Sequence, residues 1–236
     1  MSIFTEQTTL ADIVTAQPSL ARDLESRGLD YCCGGAATLA EACSAIDLDV
    51  DAVLAELAEV DGDETPPAWA TMDVAELVDH LESTHHQYLW TELPRLTALA
   101  DKVVSVHGER HPELAEIAAC YGTLRADLEP HLTKEEQVLF PAARELAAAG
   151  TAPSFPFGSA TNPISVLLTE HDTVGELLVQ LRELTNGYQT PADGCASYAA
   201  LFTGLGELEA DTHLYVHKEN NVLFPAVVAL EQRLVS

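Results

Sequence analysis

Positive charge is scarce in this sequence. Its 236 residues include 11 Lys and Arg against 38 Asp and Glu, which gives a formal net charge of −27. Proteins that bind nucleic acids or anionic membranes neutralise phosphates with Lys and Arg, so we expect neither partner. The acidity is typical of a solvated surface, or of adaptation to a salt-rich cytoplasm in which screening weakens self-repulsion. A third interpretation, that some carboxylates bind a cation, needs support from motifs.

Long apolar runs and a disulfide framework are also missing. No run is long enough to span a membrane, and the N-terminus lacks the basic and apolar regions of a secretory signal. The cysteines are odd in number and irregularly spaced, which argues against structural disulfides. They are Cys32, Cys33, Cys43, Cys120 and Cys195. We therefore expect a cytoplasmic protein with free thiols.

The sequence shows no sustained alternation of β-branched residues, so no sheet is predicted. Four long helical stretches are predicted instead, over about 73–104, 112–149, 163–186 and 193–234. Long helices with short connections favour an all-α protein built on an antiparallel four-helix bundle. Shorter helical patterns precede the polar, Pro-rich segment 60–67, which is interpreted as a linker. We thus expect a small helical domain over 1–62 and a bundle over 69–236.

The second and fourth predicted helices contain an internal repeat. Residues 131–142 read HLTKEEQVLFPA and residues 215–226 read YVHKENNVLFPA, with seven of twelve positions identical at an offset of 84. The other two helices each contribute an inward-facing His pattern. A bundle of two similar halves presents equivalent positions on facing helices, and this favours a site for two metal ions.

The repeat carries residues that ligate metals. His131 and Glu135 are separated by four residues and lie on one helical face, where the His can bind one ion and the Glu can bridge to a second. Ferritin-like sites place the Glu first and the His three residues later. Here His131 precedes Glu135 by four, which favours a hemerythrin-type arrangement.

Several motifs together resemble a known family. They are Asp30-Tyr-Cys-Cys-Gly-Gly, His86 before Glu92-Leu-Pro, His131-x-x-Lys-Glu135-Glu-Gln-x-Leu-Phe-Pro, Pro163-Ile-Ser-Val with Glu170-His171-Asp, and Glu219-Asn-Asn-Val-Leu-Phe-Pro. Over nearly the whole chain, the sequence resembles the iron–sulfur cluster repair di-iron proteins, the repair-of-iron-centres or ScdA-type family.

The resemblance implies a cysteine-bearing N-terminal domain and a hemerythrin-like bundle with two non-haem iron ions, which can be bridged by an oxo or hydroxo group. The ligands it implies are His86, His131, Glu135, His171 and Glu219. It also implies a function, the repair of iron–sulfur clusters damaged by oxidative or nitrosative stress through iron donation. Damaged iron–sulfur proteins are then the clients, O₂ or NO are further binding partners, and the protein is a monomer or a homodimer.

One position departs from the family pattern, because the His expected on the fourth helix falls on Tyr215. His213 and His217 flank it but point to other helical faces. Tyr215 can bind iron as a phenolate, since a bound metal lowers the pKa of its ligands. Alternatively, one iron has an open position filled by water, or the second metal binds weakly. Of these, we expect Tyr215 to be a ligand.

The adjacent Cys32 and Cys33 are too strained to bridge to one another easily, and the following glycines permit close backbone approach. Thiol exchange, soft-metal contact and plain burial are all open from the residues. With the resemblance, a redox or iron-transfer role is expected. The remaining three cysteines are interpreted as structural, Glu170 as solvated, and His107 as exposed in a connection.

Two other functions fit the same pattern. A hemerythrin-like module would bind or sense O₂ or NO, but it has no need of a cysteine pair. An enzyme would reduce NO or peroxide at the di-iron centre. We expect a repair or iron-transfer protein rather than a turnover enzyme.

Overall fold

The computed structural model describes residues 4–60 and 66–235. Across these two ranges the chain is helical, and its β contacts are two isolated bridges rather than strands. Within them, no helix combines the length and hydropathy that a bilayer span requires. Residues 61–65 of the predicted linker, and with them the predicted boundary at residue 62, lie outside the described ranges.

Four short helices form the N-terminal part, and side-chain caps define where three of them begin. Thr9 accepts from the backbone of Asp12, Asp49 accepts from the backbone of Asp51, and Thr38 forms a reciprocal capping box with Glu41. The helices are α1 (Leu10–Ala16), α2 (Ala21–Ser26), α3 (Leu39–Ala45) and α4 (Val50–Leu57). A 3₁₀ turn over Pro18–Leu20 joins the first two.

The four predicted long helices are confirmed, and three of them are interrupted. The first comprises α5 (Val74–Leu81) and α6 (Gln87–His107), the second α7 (Glu113–Lys134) and α8 (Phe140–Ala148), the third α9 (Thr161–Leu184), and the fourth α10 (Ala196–Lys218) and α11 (Phe224–Val235). Asp73 and Glu76 form a capping box that starts the first helix.

The Asn-Gly pair that ends the third helix forms a Schellman motif. Asn186 has φ 50°, and the amide of Gly187 donates to the carbonyl of Arg182 at 2.7 Å. This bond satisfies one of the carbonyls that a helix end leaves free.

The long helices form a closed square, since α7 packs on α6 and α9, and α10 packs on α6 and α9. Rows of buried Leu side chains fill the interior. At Gly204 the backbone of α10 approaches α6 so closely that an added Cβ would lie 2.6 Å from Leu96 Cδ2.

The interruptions are π turns at one level of the bundle, over Glu82–His86, Glu135–Leu139 and Glu219–Leu223. In the second turn the amide of Phe140 donates to the carbonyl of Glu135, five residues back. The following Pro141 has no amide hydrogen to continue the ordinary ladder. The repeat reproduces this arrangement at Phe224 and Pro225, so the Phe-Pro pair accounts for the widened turn beside each Glu.

Candidate metal centre

The predicted ligands converge inside the bundle, where three helices bring two His and two Glu together. Ligand atoms of His131, Glu135, His171 and Glu219 all lie within 4.8 Å of one another, and all four residues are buried. The two Glu begin the second and third π turns, so the widened backbone places both carboxylates in the interior.

His86 and Tyr215 complete the cluster. His86 Nε2 lies 3.4 Å from Glu135 Oε2. The Tyr215 hydroxyl lies 3.3 Å from His131 Nε2 and donates to Glu135. All six residues predicted as ligands therefore meet at one place.

The neighbouring histidines point elsewhere. His213 Nδ1 lies 3.0 Å from Glu25, and His217 Nε2 lies 3.1 Å from Thr15, so both hold the N-terminal helices against the bundle. His85 contacts Asp211 through Nδ1 at 2.9 Å. Although His85 follows a Glu with the ferritin-type spacing, it lies outside the centre.

Each inward His is oriented by an acceptor on another helix. The Nδ1 partners are Glu136 for His86 at 2.9 Å, Glu170 for His131 at 2.9 Å, and Asn220 for His171 at 2.7 Å. Because Nδ1 of each ring faces an acceptor, we place a hydrogen on Nδ1 in all three rings. In each ring, Nε2 is then the atom left to take a proton or a metal ion.

The duplicated Phe side chains pack on two of the ligand rings. Phe140 lies 5.1 Å from His86 between ring centroids, and Phe224 stacks on His171 at 5.9 Å with planes 4° apart. Both Phe are buried. The repeat thus supplies one carboxylate and one hydrophobic cover to each half of the centre.

Protons balance the buried charges of the centre when no metal ion is bound. Burial and the nearby charge of Glu135 raise the pKa of Glu219 well above its ordinary value. Burial opposes protonation of His131 and His86, but the carboxylates beside them outweigh it and raise the pKa of both. Burial, and then the charge of His131, lowers the pKa of His171 to about 4. Protons therefore provide the compensation that a metal ion would replace.

The donor set fits a hard or borderline cation such as iron. Glu135 Oε1, both carboxylate oxygens of Glu219 and His86 Nε2 are buried without a hydrogen-bond partner among the described residues. His131 Nε2 and His171 Nε2 also face one another at 3.1 Å. Buried polar atoms are normally paired, so orphaned acceptors converging from several helices indicate a site built for cations.

The cysteine pair lies in a loop against this centre. The carboxylate of Asp30 accepts from the backbone amides of Cys32, Cys33 and Gly34 at 2.9–3.0 Å. Both thiols are free. The contact with Cys33, and then burial, raises the pKa of the Cys32 thiol well above its ordinary value. Asn220 and Asn221 of the third π turn donate to the Cys32 carbonyl at 3.2 and 3.1 Å.

Several functional contacts escape sequence reasoning. Glu170, predicted to be solvated, instead accepts from His131 and pairs with Lys134. His107, predicted to be exposed, is 3% exposed and contacts Cys195 at 3.1 Å. Cys195, predicted to be structural, is exposed. The one signal available for Glu170 was its position directly before a ligand.

Comparisons with known proteins agree with this geometry. Residues 76–227 match the hemerythrin HHE cation binding domain, and residues 6–61 match ScdA_N, a domain of unknown function. The chain is 35% identical over 222 residues to the iron-sulfur cluster repair protein YtfE of Enterobacter sp. (strain 638), covering 94% of this chain and 97% of that protein.

The proteins of the same name from Citrobacter koseri and Escherichia coli O1:K1 are 35% and 34% identical over 223 residues, with the same coverage of both chains. The matches to both domains and to full-length relatives lead to one conclusion. The chain belongs to the hemerythrin HHE family, in the branch of the iron-sulfur cluster repair proteins that also carry an ScdA_N domain.

Proposed function

We propose that this chain is a non-haem di-iron protein that repairs iron–sulfur clusters damaged by oxidative or nitrosative stress, by donating iron to them. The observation that carries the proposal is the buried His and Glu cluster with its orphaned acceptors, which Asn220 links by hydrogen bonds to a loop that bears two free thiols. The repair role also draws on the names of the related proteins.

The proposed ligands are His86, His131, Glu135, His171, Tyr215 and Glu219. Bound iron supplies redox chemistry, affinity for O₂ or NO, and exchangeable coordination. The acceptors at each Nδ1 orient the three His rings. Phe140 and Phe224, which pack on two of these rings, exclude water from the centre. Glu135 and Glu219, which face each other from the two halves, are the groups suited to bridge two ions.

We assign Cys32 and Cys33 a role in transferring iron, or the electrons that accompany it, between the centre and a client. Thiols are suited to this task because thiolate sulfur binds iron in iron–sulfur proteins. Cys33 is half-buried and Cys32 is buried, so Cys33 is the thiol that a client meets first.

Residues 1–62 form the cysteine-bearing domain and residues 69–236 form the di-iron domain. The clients are damaged iron–sulfur proteins, and the setting is the cytoplasm, where such thiols stay reduced.

Iron transfer tests the proposal directly. Purified protein is loaded with ferrous iron, its iron content is measured, and it is mixed with an apo iron–sulfur protein in the presence of sulfide. We expect two iron ions per chain and recovery of the client's cluster absorbance. Consumption of NO or peroxide is measured in parallel. If no iron leaves the protein and the cluster is not restored, the repair role is wrong.

A matched set of variants tests the cysteine role. We expect the double variant Cys32→Ser/Cys33→Ser to bind iron normally but to transfer it more slowly. Cys195→Ser is the control, because Cys195 is an exposed free thiol at the start of α10, far along the helix from Glu219. Equal transfer by the two variants would remove the thiols from the mechanism.

A further inference from the structure

The three orienting acceptors of the centre are not equivalent. His86 and His131 are each held by a carboxylate, from Glu136 and Glu170, whereas His171 is held by the amide of Asn220. A carboxylate raises the basicity of a ligand His more than a neutral amide does. Of the three rings, His171 therefore gains the least basicity from its Nδ1 partner.

The difference arises at one position of the internal repeat. Asn220 stands where the first copy has Glu136, at the offset of 84 residues. Glu136 also accepts a hydrogen bond from the indole nitrogen of Trp90, at 2.8 Å. An amide has donors that a carboxylate lacks, and the nitrogen of Asn220 donates to the Cys32 carbonyl at 3.2 Å.

The cysteine loop also packs tightly against the neighbouring Asn221. Asn221 donates to the same Cys32 carbonyl at 3.1 Å. A Cβ added at Gly35 would lie 2.5 Å from the Tyr31 carbonyl and 2.8 Å from Asn221 Oδ1. The loop thus has little room to shift without displacing the two Asn side chains.

We propose that Asn220 is a positioning residue that couples the Cys32–Cys33 loop to His171, so that a change in the loop alters how firmly His171 holds its metal ion. Its oxygen fixes the His171 ring and its nitrogen fixes the Cys32 carbonyl, and two hydrogen bonds therefore connect the thiol loop to the centre. The inference rests on the proposed function in taking the cation to be iron, and it makes the His171 side the one from which iron is released.

Asn220→Asp tests the coupling with little change in shape. It keeps the acceptor for His171, now as a carboxylate, and removes the donor to Cys32. We expect iron release to a coloured ferrous chelator to slow by about tenfold or more, the scale on which such outer contacts alter metal affinity. In the iron-free protein we expect a maleimide to label the Cys32–Cys33 loop faster, as located by peptide mass mapping.

Two control variants separate the bonds. Asn221→Asp loses a donor to Cys32 but keeps the bond between Asn220 and His171, so it should speed labelling and change iron release much less than Asn220→Asp does. Glu136→Gln weakens support of His86, so it should speed iron release and leave labelling unchanged. Asn220→Ser provides a second test at the same position, because its short side chain reaches neither partner.

The decisive measurement combines both readouts. Labelling the loop of the iron-loaded native protein should change its rate of iron release several-fold, and the same labelling should have no effect in Asn220→Asp or Asn220→Ser. An equal response in native and variant proteins would overturn the proposal, as would an effect of Asn221→Asp on iron release as large as that of Asn220→Asp. Neither measurement involves a client, so failure of cluster repair would leave the coupling result intact, and loss of coupling would leave repair intact.

Discussion

Replacing Tyr215 with Phe addresses the one position where the centre departs from the ligand pattern that the sequence resemblance implies. The side chain is fully buried, and its hydroxyl donates to the carboxylate of Glu135. Burial and the charge of Glu135 raise the pKa of Tyr215 well above its ordinary value when no metal is bound. In the iron-free protein the group is therefore a neutral phenol that stabilises a buried carboxylate.

The size of the effect follows from that bond. A hydrogen bond to a charged group contributes about 1.5–3 kcal/mol, and a neutral one about 0.5–1.5 kcal/mol. We expect Tyr215→Phe to lower the free energy of unfolding of the iron-free protein by about 1.5–3 kcal/mol. Tyr121→Phe is the matched control, because the buried Tyr121 hydroxyl donates to the neutral carbonyl of Leu93 at 2.6 Å, and we expect it to cost about 1 kcal/mol.

Urea unfolding in the presence of a chelator measures both variants, and visible absorption of the oxidised, iron-loaded protein measures ligation. If Tyr215 binds iron as a phenolate, a charge-transfer band is present in the native protein and absent from Tyr215→Phe. The band should be retained in Tyr121→Phe. Iron content then distinguishes an open coordination position, with two ions per chain, from a weak second site with one.

Two results would refute the reasoning. Equal unfolding free energies for native and Tyr215→Phe iron-free proteins would mean that the phenol does not stabilise Glu135. A native spectrum without the band, or one that Tyr215→Phe leaves unchanged, would remove Tyr215 from the ligands.

Three further predictions concern other parts of the molecule. His107 lowers the pKa of the exposed Cys195 thiol to about 7, so Cys195 should be alkylated fastest of the free thiols at neutral pH, with a rate that rises through pH 7; a midpoint near 9 would contradict this. Gly204→Ala should destabilise the bundle by about 1–3 kcal/mol through overpacking, whereas Gly175→Ala, with nothing within 4 Å of its added Cβ, should stabilise it by about 0.5–1 kcal/mol, both measured by urea unfolding. Because the pKa of Glu219 is raised, iron binding must displace a proton from it. Iron affinity should therefore increase with pH, and a pH indicator in unbuffered solution should detect released acid when iron is added. Iron binding that is independent of pH would contradict this displacement.

The fold and the inner cluster could be predicted because both leave periodic signals in the sequence. The helical spacing of the apolar residues predicts the four long helices. The repeated Lys-Glu-x-x-Val-Leu-Phe-Pro-Ala motif indicates Glu135 and Glu219 as a matching pair. The Asn-Gly pair marked the end of α9. These features depend on residues close together in the chain, which sequence patterns record.

The contacts between helices could not be predicted. Whether Glu170 turns towards His131 or towards water depends on the rotation of α9 against α7, which no local pattern specifies. The π turns add to the difficulty, since an extra residue in a turn shifts the following side chains by about 100° around the helix.

The π turns also bear on what happens to the protein once its iron has gone. They lie at one level of three helices, where the regular backbone ladder is broken and where buried acceptors remain unpaired. Local opening is easiest where backbone hydrogen bonding is irregular, and a bound ligand suppresses such opening by mass action. We expect amide hydrogen exchange at this level to be slow in the iron-loaded protein and rapid after donation. A copy that has given up its iron would thereby become a better substrate for proteolysis than one that still carries it.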